Sequence, residues 1–188
     1  MNDVTHLNAE ELDAGLEEIL QSPKDTGIVN MIVRRPDIDQ REVLDEGELD
    51  TAEGLVGDNW LPKGSDSTAD GTAHPEMQLT IMNSRVIALV ATSFDRWLLA
   101  GDQFYVDFDL TKENLPAGTQ LELGTAILEV SKVPHLGCKK FASRFGVEAT
   151  IFVNSRRGKQ LNLRGINAKV ITPGVVRKGD SIKKLSRS

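Results

Sequence analysis

The sequence predicts a protein of mostly β structure with a few helices (α+β), in which many short strands form a barrel or a sandwich. Short runs of β-branched and other apolar residues recur along most of the chain, which is typical of such strands. Turn residues separate the runs, for example Asn83-Ser84, Pro116-Ala117-Gly118 and Pro173-Gly174. With 188 residues, the chain can form one domain with a sizeable core and a small N-terminal appendage.

The first predicted element is a helix near the N-terminus. The segment Asn8-Ala-Glu-Glu11 has the pattern of a capping box, in which the Asn and Glu side chains bond backbone N–H groups reciprocally. The apolar residues that follow at helical spacing are Leu12, Leu16, Ile19 and Leu20. Ser22-Pro23 is expected to end the helix. We therefore predict a helical extension over residues 1–26 and a β domain over residues 27–188.

From Gly27 onward, strand-like segments dominate the sequence. The predicted strands are GIVNMIVRRP, QLTIMN, VIALVA, QFYVDFDL, LEL, TAILEVSKV and LNLRGINAKVI. RWLLAG is predicted to form a short helical turn, and a helix is expected to begin just after Cys138. VEATIFVN fits either a strand or a buried helix, and we favour the helix.

Residues 62–76, PKGSDSTADGTAHPE, form one long polar segment with very few apolar residues. This composition is typical of a disordered surface loop, which is the interpretation it favours. The alternative is a mobile lid over a functional site, because loops often carry function.

The charge of the chain limits its possible partners. The net charge of −6 argues against binding to nucleic acids, which requires a basic face. Acidic residues concentrate in residues 8–58 and basic residues in residues 139–184, and the basic part suits a small anionic ligand better than a polymer. The single cysteine and the lack of a signal peptide or membrane-length apolar run predict a cytoplasmic protein without membrane association.

The only cysteine, Cys138, lies in the segment VPHLGCKKFASRFG, between an apolar run and basic residues. Neighbouring cations and the first turn of a helix stabilise a thiolate, which can ligate a soft metal, carry a persulfide sulfur or attack an electrophile. The alternative, which position alone favours, is a buried structural cysteine. His135 and Cys138 are three residues apart but lack the further ligands of a zinc site.

Several basic residues follow the cysteine: Arg144, Arg156, Arg157, Lys159 and Arg164. A guanidinium group can bind two phosphate oxygens at once, so this segment can hold an anionic ligand; a solvated charged surface is the alternative. The sequence contains no phosphate-binding P-loop and no dinucleotide-binding glycine pattern, so a nucleotide cofactor is not predicted.

These segments resemble the MOSC domain, the C-terminal domain of molybdenum cofactor sulfurases, which also occurs as short stand-alone bacterial proteins. The stretches that carry the resemblance are ILEVSKVPHLGCKKFASRFG, LRGINAKVITPGVVRKGDSI, GLVGDNW, and AGDQFYVDFDL followed by LPAGTQLELG. Their order and spacing cover the chain from Gly27 to Ile182. GLVGDNW has Asn-Trp where many relatives have a basic residue and His, and Gly-Asp-Gln stands where many have Arg-Glu-Asn.

The resemblance implies a closed antiparallel β-barrel, MOSC-like, over residues 27–188. It also implies that Cys138 is the catalytic residue, which either carries a persulfide sulfur or ligates molybdenum. The basic residues that it implies as ligands of the pterin phosphate of the molybdenum cofactor are Lys139, Arg144, Arg157 and Arg164. The family relates the chain to pyridoxal phosphate-dependent sulfurases.

Three functions remain open at the level of the sequence. The first is a molybdenum-cofactor-binding or sulfur-carrier protein, with a cysteine desulfurase as a partner. The second is a molybdenum-dependent reductase of N-hydroxylated compounds. It would need external redox proteins, because the chain has no cysteine set for an iron–sulfur cluster and no flavin or nicotinamide motif. The third is a non-catalytic barrel that acts as a binding module.

Overall fold

The computed structural model of the protein describes residues 5–186. Its strands are β1 (Thr26–Arg34), β2 (Glu42–Leu44), β3 (Glu46–Asp50), β4 (Gly54–Leu55), β5 (Leu79–Asn83), β6 (Phe104–Asp107), β7 (Gln120–Leu123), β8 (Ala126–Pro134), β9 (Ile166–Thr172), β10 (Gly174–Arg177) and β11 (Ser181–Lys184). Its α-helices are α1 (Ala9–Ala14), α2 (Leu16–Leu20), α3 (Trp60–Lys63), α4 (Ser84–Ala91), α5 (Lys139–Phe145), α6 (Val147–Asn154) and α7 (Arg156–Gln160). Two 3-10 helices cover Pro75–Met77 and Phe94–Ala100.

Seven of the strands within residues 5–186 close a barrel in the order β11-β7-β8-β9-β5-β6-β1, and β1 pairs with β11 to complete it. The predicted closed barrel is therefore confirmed. The barrel is mixed, however, because β5 and β6 are parallel. This pairing departs from the antiparallel pattern that the resemblance implies, because α4 and a 3-10 helix cross over between these two strands and bring β6 in along the direction of β5. The other six pairings of the barrel are antiparallel. A smaller sheet has the order β10-β3-β4.

The core has two parts, one on each side of the barrel wall. Along β6, Phe104 and Val106 point into the barrel interior, whereas Tyr105 points outward against the helices. Tyr105 is fully buried, and its hydroxyl donates a hydrogen bond to the carbonyl of Trp97 at 2.8 Å. Because this strand is buried on both faces, its sequence is apolar without alternation. No helix within residues 5–186 has the length and apolar character needed to cross a membrane.

The N-terminal segment forms two short helices instead of the single predicted one. The capping box is confirmed: the Asn8 side chain accepts from the Glu11 N–H at 3.0 Å, and the Glu11 side chain accepts from the Asn8 N–H at 2.8 Å. Gly15 separates α1 from α2, and of the four apolar residues at helical spacing Leu12, Leu16 and Ile19 are buried, whereas Leu20 is 46% exposed. The division into residues 1–26 and 27–188 stays a prediction, and its ends, residues 1–4 and 187–188, lie outside the described residues.

One predicted strand is wrong: the segment VIALVA lies in α4. The Asn83 side chain accepts a hydrogen bond from the Arg85 N–H at 2.8 Å, which caps the helix as soon as β5 ends. Val86, Ile87 and Val90 are then buried against the barrel. This packing outweighs the preference of β-branched residues for strands. The helices predicted after Cys138 and at VEATIFVN are confirmed as α5 and α6, and RWLLAG lies in the second 3-10 helix.

Candidate functional site

Cys138 lies at the junction between the barrel and the helical layer. Strand β8 ends at Pro134, three residues form a linker, and Cys138 is the N-cap residue of α5 in an extended conformation. Its carbonyl accepts the Ala142 N–H at 3.0 Å, so the backbone begins the helix while the side chain is exposed. The alternative of a buried structural cysteine is therefore wrong.

The linker before Cys138 is fixed to α6 by one side chain. Asn154 accepts a hydrogen bond from the Gly137 N–H and donates one to the Gly137 carbonyl, both at 2.9 Å. Gly137 is also tightly packed, because a Cβ atom there would lie 3.1 Å from Val153 and 3.2 Å from Asn154. The position of the thiol is thus set by a tertiary contact as well as by the start of α5.

Cys138 borders two cavities of about 250 and 530 Å³, which we call together the thiol cavity. The residues common to both parts are Arg35, Asn59, Lys63, Gly101 and Cys138. The polar segment 62–76 forms one wall of the larger part through residues such as Ser65, Asp66 and His74. Volumes of this order suit a small-molecule ligand or cofactor.

Cations dominate the walls of the thiol cavity. They are Arg35, Arg41, Lys63, Lys140, Arg144 and Arg164, whereas the carboxylates in the walls are those of Asp39 and Asp66. Burial and the neighbouring guanidinium groups of Arg144 and Arg35 lower the pKa of Arg41, which shows how closely the positive charges are crowded. The Nε atom of Arg41 is buried and has no hydrogen-bond acceptor among the described residues. This arrangement favours an anionic ligand.

The guanidinium groups of Arg35 and Arg144 are held in place by hydrogen bonds. Arg35 bonds both carboxylate oxygens of buried Asp58, at 2.6 and 2.9 Å, and donates to the Gly101 carbonyl at 3.0 Å. Arg144 donates to the Leu99 carbonyl at 2.7 Å. Asp58 belongs to the GLVGDNW segment, so one structural role of that motif is to orient Arg35 from beneath the cavity.

A buried polar network forms the inner wall of the thiol cavity. Arg164 bonds the fully buried Asp102 at 2.7 Å and the Ala100 carbonyl at 3.0 Å, and its guanidinium lies 4.9 Å from the centre of the Phe141 ring. His135 Nε2 is 3.6 Å from the other Asp102 oxygen. Burial, reinforced by Arg164, lowers the pKa of His135 to about 4, although Asp102 opposes the shift. The imidazole is therefore neutral at pH 7.

The structure brings together only some of the residues predicted from the sequence. Arg144 and Arg164 line the thiol cavity with Cys138. Lys139 and Arg157 are exposed on α5 and α7 and contribute to neither part of that cavity, as far as the described residues define it. The lining cations that were not predicted as site residues are Arg35, Arg41, Lys63 and Lys140. The sequence feature that could have revealed Arg35 is the RRP segment, where an apolar strand ends in two arginines.

The fold and the site together define a small mixed β-barrel protein with an exposed thiol beside a cationic cavity. The model of the MOSC domain family matches residues 68–183, which is more than half of the chain. The chain therefore belongs to the MOSC domain family, which is associated with molybdenum cofactor binding and with molybdenum cofactor sulfurases. The match begins inside the polar segment, although the barrel itself starts at β1.

Solved structures share this fold at low sequence identity. YuaD from Bacillus subtilis is 19% identical, with a TM-score of 0.57 over 87% of this chain and 97% of that chain. YiiM from Escherichia coli is 22% identical, with a TM-score of 0.54 over 86% of this chain and 71% of that chain. YiiM from Geobacillus stearothermophilus is 14% identical, with a TM-score of 0.52 over 86% of this chain and 74% of that chain. No curated protein matches the sequence.

Proposed function

We propose that this protein binds the molybdenum cofactor, with Cys138 as the protein ligand of the metal and the cations of the thiol cavity as ligands of the pterin phosphate. The observation that supports this function best is the exposed thiol that opens onto a cavity lined by six cations and two carboxylates. A thiolate is a suitable ligand for a soft metal, and guanidinium groups bind phosphate oxygens in pairs.

The residues present fit a metal that brings most of its own ligands. Within residues 5–186, no group of three or more His, Cys, Asp and Glu side chains is placed to hold a metal ion together. A single protein thiolate is therefore matched to a cofactor such as the pyranopterin, which carries its own sulfur ligands for molybdenum. When bound, this group supplies two-electron redox chemistry at the metal.

Arg41 is the residue best suited to hold the phosphate. Its Nε atom is buried without an acceptor, and its charge is disfavoured by burial and by Arg144 and Arg35. A bound dianion would relieve both penalties. Arg35 is already oriented by Asp58 and would need little reorganisation to bind the same group. Lys139 and Arg157 do not line the cavity, so we do not expect them to bind the phosphate.

A second candidate is a molybdenum-dependent reductase of N-hydroxylated compounds. The larger part of the thiol cavity favours it, because it extends past Cys138 between Trp60, Met77 and His135 and leaves space for a substrate beside the thiol. With one cysteine in the whole sequence, the chain cannot hold a four-cysteine iron–sulfur cluster. Electrons would therefore come from a separate redox protein.

The first test is to measure bound molybdenum and pterin in protein purified from a host that makes the cofactor. We expect near-stoichiometric molybdenum and pterin in the wild type, loss of both in Cys138→Ala, and a loss of at least fivefold in Arg41→Met. Lys139→Met is the matched control, because it removes a cation next to Cys138 that does not line the cavity, and it should retain the cofactor.

Two outcomes would overturn this function. Wild-type protein without molybdenum and pterin would exclude cofactor binding, and retention of the metal in Cys138→Ala would exclude Cys138 as its ligand. In the first case, incubation with a pyridoxal phosphate-dependent cysteine desulfurase and cysteine, followed by mass spectrometry, tests the sulfur-carrier role. Addition of one sulfur atom to the wild type but not to Cys138→Ala would identify a carrier, and no addition would leave a binding module.

A further inference from the structure

A second cavity adjoins the inner wall of the thiol cavity. It has two adjoining parts of about 330 and 220 Å³, which we call together the rear cavity. Both parts share the lining residues Lys112, Pro134, His135 and Asn162. His135, Leu136 and Arg164 line the rear cavity as well as the thiol cavity, so the two cavities adjoin at these side chains.

All of the permanently charged side chains that line the rear cavity are cationic. They are Lys112, Lys132, Lys159 and Arg164, and no Asp or Glu of the described residues contributes to either part. The three lysines also form no ion pair within residues 5–186, whereas Lys169 and Lys183 elsewhere on the barrel do. Arg164 is paired with Asp102, but the three lysines have no carboxylate partner among the described residues, and their charges create a positive potential that attracts an anion.

Two buried polar atoms beside this cavity have no hydrogen-bond partner among the described residues. Arg164 is 5% exposed and its Nε atom is an unpaired donor, while Asn167 is 1% exposed and its Oδ1 atom is an unpaired acceptor. Arg164 borders the smaller part and Asn167 the larger part. An unpaired buried polar group costs about 1–3 kcal/mol. A ligand with both an anionic oxygen and an N–H or O–H donor would satisfy both atoms.

Much of the remaining wall of the rear cavity is apolar, which restricts the ligand further. The apolar side chains in its walls include Leu115, Val130, Pro134, Leu136, Val153 and Ile166. Pro134 and Leu136 are exposed, so a bare inorganic anion would leave them in contact with water, whereas an organic body would cover them.

We propose that the rear cavity binds a small organic anion that has a carboxylate or phosphate head, an apolar body and one N–H or O–H donor. The head binds Lys112, Lys159 and Arg164, and the donor bonds Asn167. This site is separate from Cys138 and does not depend on the molybdenum cofactor, so it can be tested on cofactor-free protein.

The test is isothermal titration of cofactor-free protein with 4-hydroxybenzoate, 4-hydroxyphenyl phosphate and inorganic phosphate. The first two probes differ in their heads, which distinguishes a carboxylate from a phosphate ligand, and the third lacks the apolar body. We expect at least one organic probe to bind at least tenfold more tightly than inorganic phosphate, and equally well to Cys138→Ala. In the variant K112Q/K159Q, binding of that probe should weaken at least tenfold.

The matched control is K139Q/K140Q, which removes the same charge from α5 and includes Lys140 of the thiol cavity. It should bind the organic probe within twofold of the wild type. Equal weakening in both double variants, unchanged binding in K112Q/K159Q, or no binding of either organic probe would each overturn the proposal. Chemical-shift changes of the Asn162 and Asn167 side-chain amides on titration would support it, and their absence on saturation would also overturn it.

Discussion

The thiol cavity and the rear cavity meet at His135 and Arg164, and both are lined by cations that are held in different ways. In the thiol cavity, Arg35 and Arg144 are oriented by a buried carboxylate or by backbone carbonyls. In the rear cavity, Lys112 and Lys159 are exposed and form no ion pair with any of the described residues. The first arrangement is preorganised for an anion of one shape, and the second attracts anions more generally.

The two cavities therefore differ in how their cations are held, although they share one wall. Arg164 is paired with Asp102 on a layer of side chains that also includes His135 and Phe141. Four predictions test this difference between the two cavities, and the first two concern the shared wall.

Removal of Asp102 should have the largest effect, because it leaves the guanidinium of Arg164 buried without its carboxylate partner. We expect Asp102→Ala to lower the free energy of unfolding by about 3–5 kcal/mol, measured by urea denaturation. The double variant Asp102→Ala/Arg164→Met should recover at least half of this loss, because it removes the unpaired charge as well.

The control for Asp102 is an exposed ion pair of similar length. Arg177 and Glu46 approach to 2.6 Å, and both side chains are more than half exposed. Arg177→Ala should therefore change the free energy of unfolding by less than about 1 kcal/mol. If Asp102→Ala cost no more than this control, the shared wall would not depend on the buried pair.

His135 should make the stability of the wall depend on pH. Its pKa is about 4 in the folded protein, against 6.5 in the unfolded chain, because it is buried and faces Arg164 and Arg35, with Asp102 opposing the shift. Between pH 6.5 and 4, the unfolded chain binds a proton at this position and the folded protein does not. Stability therefore falls as the pH falls through this window, by up to about 3 kcal/mol from this group.

The measurement for His135 is the free energy of unfolding at several pH values for the wild type and His135→Gln. The difference between the two curves isolates this residue from the other titrating groups. It should be constant above pH 7 and change between pH 6.5 and 4 in favour of the variant. A difference that does not vary with pH would show that His135 takes up a proton as readily in the fold as in the unfolded chain.

Beside the thiol cavity, Asn154 fixes the linker that carries Cys138. Loss of its two hydrogen bonds to Gly137 in Asn154→Ala should cost about 2 kcal/mol of unfolding free energy. Asn154→Asp keeps the acceptor for the Gly137 N–H but places a carboxylate oxygen against the Gly137 carbonyl, so it should cost at least as much as Asn154→Ala. We also expect alkylation of Cys138 by iodoacetamide to change in rate in Asn154→Ala. Unchanged stability and rate would mean that α5 alone positions the thiol.

The smallest expected effect comes from the comparison of a cation of the thiol cavity with a cation of the rear cavity. Arg41 is crowded by other cations, so Arg41→Met should raise the free energy of unfolding of cofactor-free protein by about 1 kcal/mol. Lys159→Met in the rear cavity should stay within about 0.5 kcal/mol of the wild type, because that ammonium group is exposed. Equal effects of the two substitutions on the free energy of unfolding would show that neighbouring cations repel each of these two side chains equally.

Local patterns in the sequence predicted elements whose ends are set by nearby residues. The capping box at Asn8 and Glu11, the helix after Cys138 and the apolar strands are of this kind. The strand predicted at VIALVA failed because the cap from Asn83 and packing on the barrel decide the structure there. Similarly, the parallel pairing of β5 and β6 follows from a crossover that short strand patterns do not reveal.

The sequence by itself determined that the single thiol stands at the start of a helix, next to Lys139 and Lys140, and between short strands that can close a barrel. The tertiary structure alone decided which cations surround that thiol. Arg35 and Arg41 lie about a hundred positions earlier in the chain and border the same cavity as Cys138. The reason is physical: closure of the barrel sets distances between residues far apart in sequence, whereas propensity, capping and periodicity act over only a few residues.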